Sequence, residues 1–192
     1  MIFKEQLMMQ RDEWPKMTGT ELAIYMSVMN LCGPYDRTVL IYNSSIMHNL
    51  TGDIKDPLRR KIVSATMKDL VARGVIVAEA GPHGSYYVDG LKSFFVYSKE
   101  CEHGFVMIDF SKIRELIRGC ADTRQWNGLI KYYVMLMSHM NKDGECNKSL
   151  DYFSTWLGIS KITLSKYNGQ LKNLGLIKIK RNFNSTSTYY ST

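Results

Sequence analysis

An internal repeat constrains this chain more than any other feature. Residues 68–77 read Lys-Asp-Leu-Val-Ala-Arg-Gly-Val-Ile-Val, and residues 169–178 read Gly-Gln-Leu-Lys-Asn-Leu-Gly-Leu-Ile-Lys. At an offset of 101, Leu70 falls on Leu171, Gly74 on Gly175 and Ile76 on Ile177. Both copies close on a tyrosine pair, Tyr86-Tyr87 and Tyr189-Tyr190. A period of this length means that one folded unit is built twice. In each unit a long helix stops at a glycine able to take the left-handed conformation. A strand, a polar turn and a return strand follow. Leu176, Lys178 and Lys180 alternate with Ile177 and Ile179, the pattern of a half-buried strand. The segment from Asn182 to Ser187 is rich in Asn, Ser and Thr, as a hairpin tip requires. The first copy has its tip at Ala80-Gly-Pro-His-Gly84.

Upstream of each hairpin the periodicity is helical. Thr18-x-x-Glu21 has capping-box spacing and opens a helix carrying Leu22, Tyr25, Met26 and Met29 on one face. Its counterpart runs from about Gln125 to Met140, with Met135, Met137 and Met140 as adaptable core filling. Between the copies, Phe94–Tyr97 and Phe105–Ile108 read as strands flanking a boundary. The division expected is residues 1–98, a linker at 99–104, and residues 105–192.

Composition narrows the class. The chain has 192 residues, 45% of them hydrophobic, enough for a buried core. Its net charge of +7 is uneven: residues 1–100 contribute +1 and residues 101–192 contribute +6. A basic half points to a polyanionic partner. The charge-free apolar run Tyr132 to Met140 is too short for a membrane span, so no membrane is expected. The opening Met1-Ile-Phe-Lys-Glu5 lacks the pattern of a signal peptide, and Cys32, Cys101, Cys120 and Cys146 show no paired spacing. Reduced thiols in a cytoplasmic protein are the expectation.

The sharpest functional signal lies in the second copy. After Asp151 there is no acidic residue, yet Lys161, Lys166, Lys172, Lys178, Lys180 and Arg181 follow. Leu150–Leu157 reads as a short helix, Gly158-Ile159-Ser160 as a turn, and Lys161–Leu174 as a second helix capped by Ser160. Leu164, Tyr167, Leu171 and Leu174 form its core stripe. The other face presents Ile162, Ser165, Lys166, Gly169, Gln170 and Asn173, without a carboxylate to repel phosphate. Gln170 suits the edge of adenine and Ile162 the methyl of thymine. Lys161, Lys166, Lys178, Lys180 and Arg181 suit phosphates, and Asn182 and Asn184 suit the minor groove. Gly169 has two readings, close approach of the backbone to DNA or a tolerated surface glycine.

The first copy is more dilute in charge. Its long helix is expected to start at Pro57, with Ile62, Val63, Thr66, Met67 and Leu70 facing the core. Lys61, Ser64, Ala65 and Lys68 lie opposite, with Lys55, Arg59 and Arg60 near the start. Asp53, Asp56, Asp69, Glu79 and Asp89 offset these cations. This copy either binds a second half-site or serves as a scaffold or dimerisation unit. DNA contact through Arg60, Lys61 and Lys68 is the favoured expectation.

The runs Asn141–Cys146, Leu157–Lys166 and Leu171–Arg181 resemble the winged-helix domains of Gram-positive plasmid and phage proteins, both replication initiators and regulators. Two such units in one chain look like the internal-dimer, TraN-like repressors of conjugative plasmids. The resemblance implies a mainly α chain with small β-hairpins (α+β), built as two tandem winged helix-turn-helix domains forming an internal pseudo-dimer. It also implies that a monomer grips double-stranded DNA with two recognition helices and basic wings. Copy one departs from the pattern in its longer linker, Gly52-Asp-Ile-Lys-Asp56.

Other classes find less support. Cys101-x-His103 is the one close Cys/His pair, short of the four ligands of a structural zinc, so no metal or cofactor is expected. A phosphate-binding GxxxxGK[ST] is absent, and His48, His83, His103 and His139 are too dispersed for a DNA-nicking centre. An enzyme is therefore not expected. A transcriptional repressor of plasmid transfer genes ranks first, a replication initiator second, and a protein-interaction module third.

Overall fold

The computed structural model describes residues 6–10, 14–33, 38–93, 105–120, 123–181 and 187–192, with residues 6–10, 105–107, 123–125 and 181 described by their backbone. It is mainly helical with small antiparallel sheets. The first half comprises β1 (Gln6–Gln10), a 3-10 turn at Trp14–Lys16, α1 (Gly19–Cys32), β2 (Val39–Tyr42), α2 (Asn43–Thr51), α3 (Pro57–Ala72), β3 (Ala78–Ala80) and β4 (Ser85–Val88). The second comprises β5 (Phe105–Asp109), α4 (Phe110–Gly119), α5 (Thr123–Ser138), β6 (Glu145–Cys146), α6 (Leu150–Leu157), α7 (Lys161–Asn173), β7 (Ile177–Arg181) and β8 (Ser187–Ser191).

The repeat read from the sequence is a repeat of topology. Each half runs helix, short strand, helix, helix, hairpin. Each folds its strands into a three-stranded sheet of the same order, β2-β4-β3 and β6-β8-β7. The glycines that stop α3 and α7 are both left-handed, Gly74 at φ 72° and Gly175 at φ 70°. Tyr86 and Tyr189 are both buried, but they are not equivalent positions: Tyr189 lies opposite Ile179, whose counterpart Ala78 lies opposite Val88, so the second tyrosine pair takes the place of Val88 rather than of Tyr86. The first hairpin turns at Pro82–Gly84, as expected. The second tip, with Asn182 and Asn184, lies outside the described residues, as do Phe94–Tyr97, the 99–104 linker, Cys101 and His103.

Local chemistry explains the helix starts. Thr18 and Glu21 form the reciprocal capping box at α1. The Asp56 carboxylate accepts from the amides of Leu58 and Arg59, with Pro57 first in α3. Ser149 and Ser160 accept from Tyr152 and Thr163 at α6 and α7. Gly158 (φ 64°, ψ 26°) makes the turn between those two helices.

The two halves meet through equivalent elements. β1 pairs antiparallel with β5, centred on Met8 opposite Met107. Helix α1 packs against α5. Gly19 at the start of α1 donates its amide to Asn127 Oδ1 at 2.6 Å. A Cβ on Gly19 would sit 2.1 Å from the Asn127 carbonyl oxygen, so this crossing admits only glycine. One hydrophobic cluster runs through both halves, from Trp14 and Met26 to Leu129, Phe153 and Tyr189.

Two elements depart from the expectations. The α1 stripe of four residues is too narrow, because Leu22 to Val28 is buried without a break. A helix covered on all sides by α2, α3 and α5 needs no polar face. Helix α4 was not anticipated, and copy one has only the Trp14–Lys16 turn in its place. It is capped by Asp109 and buries Phe110, Ile113, Leu116 and Ile117 against α2 and α5. No helix among the described residues is long and apolar enough to cross a membrane.

Candidate nucleic-acid interface

Helix α7 is held from behind and open in front. Leu164 and Leu171 are fully buried, with Tyr167 and Leu174 packed against the core, as the expected stripe requires. Tyr132 of α5 donates its hydroxyl to Asn168 Oδ1 at 2.7 Å. Tyr167 lies over Gly128, where a Cβ would come within 2.3 Å of its hydroxyl. Tyr132 also stacks edge-on with Phe153 of α6 at 5.5 Å. Burial, with Tyr189 beside it, pushes the Tyr132 hydroxyl far above its ordinary pKa, so it stays a neutral donor. These contacts fix the rotation of α7 about its axis and hence the face it presents.

That face carries Ile162, Ser165, Lys166, Gly169 and Asn173, all exposed, with Gln170 half-buried beside them. Ile162 is 73% exposed. A Cβ at Gly169 would meet nothing within 4 Å, so no internal contact asks for a glycine there. Lys178 and Lys180 project from β7, and the Arg181 backbone continues the strand. Lys161 is paired with Asp151 of α6, so the acid-free stretch after residue 151 does not leave Lys161 unopposed. Both partners are exposed, which makes the pair weak and easily exchanged.

Copy one places its residues similarly. Lys61, Lys68 and Arg60 are exposed on α3, and Ser64 is half-buried. Arg60 also donates to the Ile54 carbonyl at 2.8 Å. Lys55 is exposed in the turn before α3, its amide bonded to Asp53. Arg59 is only partly exposed. It lies 3.0 Å from the Asp56 carboxylate and its guanidinium stacks 5.1 Å from the Trp126 ring of α5. Arg59 therefore has intramolecular partners in both halves. The core positions Val63, Met67 and Leu70 are buried as expected, with Ile62 and Thr66 partly so.

Sequence reasoning missed two exposed apolar residues beside these faces. Leu58 is 60% exposed in the first turn of α3, and Trp156 is 61% exposed on α6, 6.3 Å from the Tyr152 ring. The spacing of Leu150, Phe153 and Leu157 already defines the core side of α6, and Trp156 falls outside it. Among the described residues no cluster of His, Cys, Asp or Glu is arranged to hold a metal.

No protein-family model, no curated protein sequence and no solved structure matches the chain.

Proposed function

We propose that the chain is a sequence-specific double-stranded DNA-binding protein built from two tandem winged helix-turn-helix units acting as an internal pseudo-dimer. The observation that carries the reading is the outward face of α7. It pairs an exposed Ile162 and a half-buried Gln170 with Lys166 on a helix locked from behind by Tyr132 and Leu171. In this reading α3 and α7 enter major grooves, and the hairpin β7–β8, which carries Lys178 and Lys180, lies along phosphates. The strand order β2-β4-β3, repeated as β6-β8-β7 behind a helix pair, supports it. So does a net charge of +6 on residues 101–192.

The role favoured is transcriptional repression. Two helices fixed on one body bind across about one turn of duplex, roughly 34–36 Å, and exclude polymerase from a promoter. Linking the units makes the second contact intramolecular, so occupancy does not wait on dimerisation. The test is the salt dependence of binding to duplex DNA, followed by fluorescence anisotropy. Six neutralised phosphates give a slope of log K against log salt of about −5. Lys166→Ala reduces that slope by about 1 and weakens binding to every sequence alike. A slope near zero would refute the reading and move a protein partner to first place.

A further inference from the structure

The two candidate recognition faces hold equivalent places in the fold but carry different chemistry. Aligned through the core and the stop glycines, Leu70 matches Leu171 and Gly74 matches Gly175. In that register Lys61 stands where Ile162 stands, Lys68 where Gly169 stands, and Asp69 where Gln170 stands. Ser64 and Ser165 are the shared pair. Lys61, Lys68 and Ile162 are exposed, so these differences face outwards. Asp69 forms an exposed pair with Arg73, 2.9 Å away, and Lys61 and Lys68 are exposed cations on the same helix. Helix α3 also starts three residues earlier than α7, which adds an exposed Leu58, while the exposed Arg60 falls on Lys161.

Resting on the proposed DNA-binding reading, we infer that the chain recognises a non-palindromic duplex in one fixed orientation, with a G·C-reading half under α3 and an A·T-reading half under α7. Lysine and arginine only donate hydrogen bonds, and guanine is the base whose major-groove edge offers two acceptors, O6 and N7. Gln170 both donates and accepts, which matches adenine N6 and N7. Ile162 neither donates nor accepts, and the thymine 5-methyl is the apolar group in the groove. A symmetric homodimer must read a palindrome, because its two helices are identical. Here β1 pairs with β5 and α1 packs on α5 as in such a dimer, yet the helices the frame presents are not copies. The frame pairs like elements as a dimer does, but the two helices it carries differ, so the bound protein has a left and a right.

Selection from a random duplex library, followed by alignment of the recovered sites, tests this directly. The expected motif has unlike halves, one with a guanine and one with an adenine-thymine core. Lys61→Ala then relaxes the guanine half alone, and Ile162→Ala the other half alone, each by roughly 5- to 150-fold in discrimination. Replacing the thymine by deoxyuridine in the second half weakens wild type but not Ile162→Ala. A palindromic motif, or two variants acting on the same half, overturns the inference and leaves the DNA-binding reading standing. Failure to enrich any duplex, with no salt-sensitive binding, overturns both.

Discussion

Gly19→Ala tests the packing of the two halves with opposite signs for the two explanations. An alanine near the start of a helix is ordinarily favourable, by up to about 1 kcal/mol over glycine. At this position the new Cβ would lie 2.1 Å from the Asn127 carbonyl oxygen, 2.8 Å from its carbon and 2.9 Å from its Cα. All three atoms are backbone of α5, so no side chain can swing away. Relief requires α1 and α5 to part by about 1 Å, which loosens close-packed contacts on either side. It also lengthens the 2.6 Å bond from the Gly19 amide to Asn127. Overpacking costs about 1–3 kcal/mol and here overrides the gain in helix propensity. A net loss of about 2 kcal/mol lowers Tm by about 4–8 °C at this chain length. Thermal and urea unfolding of the two proteins decide the matter. A Gly19→Ala variant as stable as wild type, or more stable, would refute the direct seating of α1 on α5.

Gly169→Ala is the control with the opposite expectation. Its Cβ meets nothing, so the variant gains about 1 kcal/mol of stability by unfolding titration while losing DNA affinity if the backbone approaches a groove; loss of stability would contradict the open face of α7. Ser160→Ala removes the cap that receives the Thr163 amide and costs about 1 kcal/mol in the same assay, with no change in stability as the contrary result. Arg59→Ala, which strips the Trp126 stack and the Asp56 pair, lowers Tm by a few degrees and leaves the salt slope of DNA binding unchanged, whereas Arg60→Ala reduces the slope and leaves Tm alone. Burial raises the hydroxyl pKa of Tyr132, Tyr133 and Tyr189 above the ordinary value of 10. The unfolded chain therefore releases those protons first as pH rises, and stability present below pH 10 falls above it, by about 1.4 kcal/mol per pH unit for each tyrosine. Unfolding midpoints that agree at pH 9 and pH 11 would count against that burial.

Signals that act within a few residues were legible in the sequence. The Thr18–Glu21 box, Pro57, Ser160 and the glycines at 74, 158 and 175 each set a boundary through their own backbone chemistry, and each boundary lies where that chemistry puts it. The outward face of α7 was legible for the same reason, since the spacing of Leu164 and Leu171 fixes what lies opposite. Helix α4 left a signal in the spacing of Ile113, Leu116 and Ile117, but its burial depends on α2 of the other half, which no local pattern reveals. The β1–β5 pairing joins residues about 100 positions apart, and nothing in Gln6–Gln10 names its partner. Arg59 shows the same limit at a candidate site. Its charge was plain, but Trp126 beside it comes from the opposite copy.

The most direct measurement is a footprint of the protein on the DNA flanking its own gene, run beside a Lys161→Ala/Lys166→Ala variant. The account predicts protection overlapping a promoter, lost in the variant, from a helix face that carries these cations and no carboxylate of its own. Protection of iterated repeats away from a promoter would replace the repressor with an origin-binding initiator. No protection at moderate salt would contradict the DNA-binding account.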